Sequence, residues 1–219
     1  MKRRLFTLLA VLGLAGAAPT AGLAGDSGNA PPTLSFFSSG SGAHAGWVHT
    51  EDQPPGDTDG QAMQIYVTTG GYAGVLVHHV YGIPTEEFPN SSFDFKSNLA
   101  SPSSLGYPRL VITFSDGGDA SLRPLTWQQN WTTVADPNWD NNHGGCGFRF
   151  QQTWQQIQAC HPGTFVTNAY ITTDPGIDVM FLIDNLNVDF KYFSNASDNS
   201  NGDNTTAFFT PELLSLLTL

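Results

Sequence analysis

The carboxylates hold most of the chemistry this sequence offers. The chain carries 19 Asp and Glu against 8 Lys and Arg, a formal charge of −11. Asp184 lies in a strand-like run. There Met180, Leu182, Leu186, Val188, Phe190 and Tyr192 form an apolar row, while Asn187, Asp189 and Lys191 form a polar one. An ionised carboxylate in an apolar row is costly unless it accepts backbone N–H groups or holds a metal. A bulge that turns it outward is the other resolution, because Phe181 and Ile183 are apolar as well. Glu51, Asp52, Asp57 and Asp59 form a second acidic cluster, and oxygen ligands at that density suit Ca²⁺. Asp57-x-Asp59-Gly60 matches part of an EF-hand loop, but no Glu follows at the closing position. The expected metal ligands are therefore Asp57, Asp59 and Asp184, around a structural Ca²⁺. A solvated loop is the alternative for the 51–59 cluster.

The remaining chemistry is that of recognition. Five tryptophans stand in the chain. Sugar rings offer C–H faces that pack on aromatic planes, while Asn, Gln and Asp satisfy the hydroxyls. Trp127-Gln128-Gln129-Asn130-Trp131 and Asn138-Trp139-Asp140-Asn141-Asn142 combine these residue types in polar segments. The expected ligand-binding residues are Trp127, Asn130, Trp139, Asp140 and Asn142, with Trp154 assigned to the core. No catalytic residue is assigned. His78 and His79 point to opposite faces of any strand, and His143 and His161 lack a third metal ligand. No Gly-x-Ser-x-Gly elbow occurs, and no carboxylate pair is marked for glycoside hydrolysis. Arg109 and Arg123 border strands and are expected to pair with a buried carboxylate such as Asp94 or Asp184.

The compartment follows from the N-terminus and the cysteines. Lys2, Arg3 and Arg4 precede an apolar stretch over 5–17, and Gly22-Leu23-Ala24 offers a small-x-small cleavage site. Residues 1–24 read as a secretion signal, too short in its apolar part to span a bilayer. Its removal would leave 5 basic and 19 acidic side chains. Such a chain is a poor match for nucleic acid, whose phosphates are bound by Lys and Arg. Cys146 and Cys160, in an exported chain, are expected to form a disulfide.

These residues must be positioned by short strands. Charged residues make up only 12% of the chain, with 23 Gly and 14 Pro, a composition that excludes bundles and coiled coils. Residues 25–32 form a flexible lead-in. Strand signals follow at 33–37, 61–69, 72–81, 92–96, 108–114, 131–134, 147–150, 165–173 and 179–193, separated by Gly and Pro turns. Residues 152–160 instead carry Trp154, Ile157 and Cys160 at helical spacing behind a Thr153 N-cap, with a strand as the alternative. The expectation is an all-β jelly-roll sandwich over 33–193 with one short helix. A polar linker over 194–206 and a short apolar C-terminal helix over 207–219 would follow it.

Phe181-Leu182-Ile183-Asp184-Asn185-Leu186-Asn187-Val188 resembles the closing strand of jelly-roll modules of the carbohydrate-binding, galactose-binding-like type, as does the 154–174 segment before it. The resemblance implies a structural Ca²⁺ near Asp184, though the chain lacks an obvious glutamate partner on its first strand. Gly56-Asp57-Thr58-Asp59, Ser92-Phe93-Asp94-Phe95-Lys96, Pro108-Arg109-Leu110-Val111, Leu122-Arg123-Pro124-Leu125 and Cys160-His161-Pro162-Gly163 resemble segments of secreted actinobacterial proteins. That likeness implies export and no particular activity. The expected function is that of a secreted, non-catalytic domain binding an extracellular polysaccharide or glycoconjugate. A polysaccharide lyase or hydrolase, and a structural or interaction protein of the cell envelope, are the alternatives.

Overall fold

The computed structural model describes residues 32–98, 107–126, 128–173 and 178–195, and the backbone of 206–207. The expected signal segment, Trp127 and the expected C-terminal helix beyond Ala207 lie outside the described residues, as does most of the expected linker.

Two antiparallel sheets pack face to face as a jelly-roll β-sandwich, the expected fold. The larger sheet has eight strands. In spatial order they are β10 (Arg149–Gln152), β9 (Trp139–His143), β7 (Asp119–Leu122), β6 (Arg109–Phe114), β11 (Val166–Thr172), β4 (Tyr72–His78), β1 (Thr33–Ser39) and β14 (Thr206–Ala207). The smaller sheet runs β2 (His44–His49), β3 (Gln61–Val67), β12 (Val179–Val188), β5 (Ser92–Ser97) and β8 (Thr132–Val134), with β13 (Lys191–Phe193) also paired to β12. The chain crosses repeatedly between the sheets, so neighbours in space come from distant parts of the sequence. β14 joins β1 in parallel, an edge addition at the junction of the expected linker and tail.

Strand alternation builds the core. In β3, Met63, Ile65 and Val67 are buried, and in β5, Phe93 and Phe95. The larger sheet answers with Leu34, Phe36, Val75, Val77, Leu110, Ile112, Phe114, Ala169 and Ile171. Each fully buried Phe, Leu or Ile contributes roughly 1.5–3 kcal/mol.

One helix interrupts the strands, as its spacing predicted: α1 (Trp154–Cys160). Thr153 caps it. Its hydroxyl accepts from Gln156 N–H at 3.2 Å, and the Gln156 side chain accepts from Thr153 N–H at 2.8 Å. Trp154, Ile157 and Cys160 are its buried stripe. Cys160 is bonded to Cys146, with Cα atoms 5.1 Å apart. Among the described residues, no helix is long and apolar enough to cross a membrane.

Three sequence expectations change. The run 179–193 is a hairpin, since Asp189 and Phe190 both take positive φ and Val188 pairs with Lys191. Residues 139–143, where no strand signal was read, form β9. Residues 44–49, also without a strand signal, form β2.

Candidate functional site

Strand parity decides what β9 can offer. Trp139 and Asn141 face inward, Asp140 and Asn142 outward. Trp139 is completely buried, its ring 4.6 Å from that of Trp154 and its Nε1–H donating to Asn90 Oδ1 at 3.0 Å. The expected sugar platform at Trp139 is therefore corrected: its face is already covered by core. Alternation places it there, because Leu122 of β7 stands opposite and points the same way.

The aromatic surface lies one strand further out. The loop after β9 presents Phe148 and strand β10 presents Phe150; they are 61% and 56% exposed and meet edge to face at 4.5 Å. Arg123 lies beside them, its guanidinium 5.7 Å from the Phe150 ring centre. Arg123 Nε donates to Asp140 Oδ2 at 2.5 Å, and Gln151 N–H donates to Asp140 Oδ1 at 3.0 Å. Arg123 thus has a carboxylate partner as expected, but the partner is Asp140 and not Asp94 or Asp184. Asn142 Nδ2 donates to Asp119 Oδ2 at 2.7 Å and to Ser121 Oγ at 3.1 Å. The second Asp119 oxygen bonds His143 Nδ1 at 2.5 Å. The result is an exposed pair of aromatic rings beside a row of fixed polar groups on the outer face of the larger sheet.

That loop is fixed from behind. Asn141, buried, donates from Nδ2 to the Gly147 carbonyl at 2.7 Å and accepts from His161 Nε2 at 2.7 Å. His161 is fully buried, stacked 4.2 Å from Phe114, with Nδ1 bonded to Asp116 Oδ2 at 2.8 Å. Burial raises the Asp116 carboxyl, but the hydrogen bonds from His161 and Gly118 N–H and the His161 charge outweigh it and leave it below its ordinary value. The Cys146–Cys160 disulfide ties the same loop to α1. The approach is close: a Cβ on Gly145 would lie 1.8 Å from the Cys160 carbonyl oxygen.

Asp140 and Asn142, named from sequence, belong to this surface. Asn130 does not, since it precedes β8 at the far edge of the other sheet. It is exposed, and its carbonyl accepts from Thr132 Oγ1 at 3.2 Å. Phe148 and Phe150 were missed. Their signal was an aromatic i, i+2 pair in a strand whose neighbours supply no apolar residue to bury it.

A second constellation sits on the outer face of the smaller sheet. A register shift between Asp184 and Asn187, with Asn185 at φ 49, is the bulge that lets Phe181, Ile183, Leu186 and Val188 all face inward. Asp184 therefore points outward, yet it is completely buried beneath neighbouring groups. Its Oδ1 accepts from Asn185 N–H at 2.7 Å, and its Oδ2 has no donor. Burial, then the like charges of Asp57, Asp59 and Asp94, push the carboxyl up to about 8. The sequence named Asp57, Asp59 and Asp184 in two separate clusters; the structure brings them into one neighbourhood and adds Asp94, the cross-strand partner of Asp184.

The other three carboxylates also have donors. Asp57 Oδ1 accepts from Asp59 N–H at 2.9 Å, and Asp59 Oδ1 from Gln61 N–H at 2.8 Å. Asp94 accepts from Thr133 Oγ1 at 2.5 Å and from Asn185 Nδ2 at 2.8 Å. Among the described residues, no three His, Cys, Asp or Glu side chains already stand in ligating geometry. The orphaned Asp184 Oδ2, buried amid carboxylates, nonetheless has the donor chemistry of a hard cation site.

No family model matches the chain, and no curated protein matches it. Solved structures do. A family 11 carbohydrate-binding module from Clostridium thermocellum, solved in complex with a β-1,3-1,4-mixed-linked tetrasaccharide, is 15% identical. The match covers 75% of this chain and 89% of that one, with a TM-score of 0.43. A family 30 carbohydrate-binding module of a Clostridium thermocellum cellulosomal cellulase is 10% identical over 76% of this chain and 94% of that one, TM-score 0.41. An exo-β-agarase matches 74% of this chain with 24% of its own length at 12% identity, TM-score 0.38.

Proposed function

We propose that this chain is a secreted, non-catalytic module that binds an extracellular polysaccharide or glycoconjugate through the Phe148–Phe150 surface. The observation that carries the reading is the pair of exposed phenylalanine rings beside Arg123–Asp140 and Asn142–Asp119. Folding alone gives two large apolar side chains no reason to face water here. A pyranose packed on them would bring its hydroxyls to the Arg123, Asn142 and Asp119 groups. These groups are already oriented by one another, which lowers the ordering cost of binding. Secretion is supported by the basic–apolar N-terminus and by the disulfide. The test is retention of the purified chain on a panel of soluble and insoluble polysaccharides. Retention on one of them should vanish in the Phe148→Ala/Phe150→Ala double variant while the thermal unfolding midpoint stays within a few degrees. Absence of retention on every glycan, or retention untouched by the double variant, would overturn the reading, and product release from a retained glycan would replace it with an enzyme.

The Asp184 neighbourhood supports a second part of the proposal, a structural Ca²⁺ held by Asp184 with Asp57, Asp59 and Asp94 as the available carboxylates. Bound there, the ion would supply the positive charge that the buried Asp184 oxygen lacks. Added Ca²⁺ should raise the melting temperature, EDTA should lower it, and Asp184→Asn should abolish both responses. A melting temperature indifferent to Ca²⁺ and EDTA would exclude the ion.

A further inference from the structure

The hairpin between β12 and β13 carries a feature that neither the glycan surface nor the acidic neighbourhood uses. Its two-residue turn is Asp189-Phe190, at φ 50 and 60. Paired positive φ values mark a type I′ turn, which favours Asn or Asp followed by Gly. A Phe in that conformation is strained, because its Cβ crowds the backbone. It does not recover the strain by burial, since the Phe190 side chain is 83% exposed.

Phe190 instead walls an open pocket of about 310 Å³, whose other lining residues are Gly82, Ile83, Pro84, Glu87 and Asp189. The volume lies at the lower end for small-molecule sites and suits a compact ring. Gly82 keeps one wall bare, as a Cβ there would meet nothing within 4 Å. The only charges on the lining are two carboxylates. Asp189 is partly buried, and that burial alone pushes its carboxyl up. No N–H or O–H of the described residues donates to it. The nearest cation in sequence, Lys191, is turned away, its Nζ lying 5.5 Å from the Phe193 ring centre. The pocket therefore combines an aromatic wall, an aliphatic wall at Ile83 and Pro84, and a carboxylate that lacks a partner. An anion is excluded by the two acids. A single lysine side chain would satisfy the charge but leave most of the volume unfilled.

We propose that this pocket binds a sugar ring bearing a free ammonium group, with the Phe190 face against its C–H bonds and the Asp189 carboxylate on its nitrogen. The site shares no lining residue with the Phe148–Phe150 surface, because it is built by the β12–β13 turn and by the connection between β4 and β5. Glu87 supplies a second negative charge at the mouth.

The test is calorimetric titration of the full chain with three probes: fully deacetylated glucosamine trisaccharide, its N-acetylated counterpart, and cadaverine. The deacetylated sugar should bind, and the N-acetylated sugar and the diamine should be weaker by about tenfold or more, as loss of a charge-assisted contact or of the ring contact predicts. Asp189→Asn, which tolerates the same positive φ and so keeps the turn, should weaken the deacetylated sugar by a similar factor. Phe190→Ala should weaken it too. Equal binding of the acetylated sugar, or indifference to Asp189→Asn, would overturn the proposal. Equal binding of cadaverine would do the same by showing that the pocket takes amines of any shape.

Discussion

Asp184 shows what a single residue can impose on the whole stability profile. Its carboxyl is raised from 3.8 to about 8 in the folded chain. The folded state therefore holds a proton that the unfolded state releases, and in the absence of a cation stability falls as pH rises from about 4 to about 8. The slope is at most about 1.4 kcal/mol per pH unit. Asp184→Asn should flatten it, and in metal-free protein the gain in melting temperature from the substitution should be larger at about pH 8 than at about pH 5 and absent below about pH 4. A slope that survives in the variant would assign the effect to another group. Phe190 is the opposite case, a residue whose own conformation costs stability. Phe190→Gly should raise stability by about 1–2 kcal/mol in denaturant titration, the strain of a left-handed L residue, while weakening the glucosamine oligomer. At this scale the sequence was legible in part. Asp140 and Asn142 were singled out as polar residues beside a tryptophan, and the structure sets both on the outward face of β9. Trp139 was misplaced because its neighbours Asn138 and Asn141 disguise an inward row. Asn141 is buried only because His161, far along the chain, gives it a partner.

Among elements, α1 was the most readable, since its cap, its buried stripe and its end are all local signals. Its first turn has no acidic residue, so the Thr153–Gln156 box and the Asp136 carboxylate on Trp154 N–H carry the N-terminus. Thr153→Ala should cost about 1 kcal/mol of unfolding free energy by chemical denaturation. A cost near zero would show that Asp136 alone suffices. The final hairpin was harder to read. Nothing in Val188-Asp-Phe-Lys191 signals a type I′ turn, because the Gly that would mark it is a Phe. The bulge at Asn185 was legible only as an alternative, through two apolar residues on the wrong parity, and the structure adopts it to bury Phe181 and Ile183.

For the molecule as a whole, composition and turn spacing were enough to name a sandwich, but not to order it. Nine strand signals were read, and the described residues contain fourteen strands. The extra ones are short and polar, and they exist because a neighbour across the sheet offers hydrogen bonds. β9, for example, forms against β7 even though its sequence is Trp-Asp-Asn-Asn-His. Strand order depends on such long-range pairing, which local patterning does not encode. This is also why the acidic neighbourhood was only half visible. Asp57 and Asp59 precede β3, Asp94 belongs to β5 and Asp184 to β12, and only the β3–β12–β5 order brings them together.

The outermost strand of the larger sheet, β10, has one further consequence. Its pairing with β9 is irregular between Arg149 and Gln152, and Gln151 stands at φ 53. A sheet border that displays two phenylalanines to water would ordinarily invite a second copy to zip onto its free N–H and C=O groups. The kink at Gln151 breaks the regular spacing such a ladder requires. The irregularity that leaves β10 four residues long thus also makes this border a poor template for edge-to-edge strand pairing, although it carries an exposed aromatic surface.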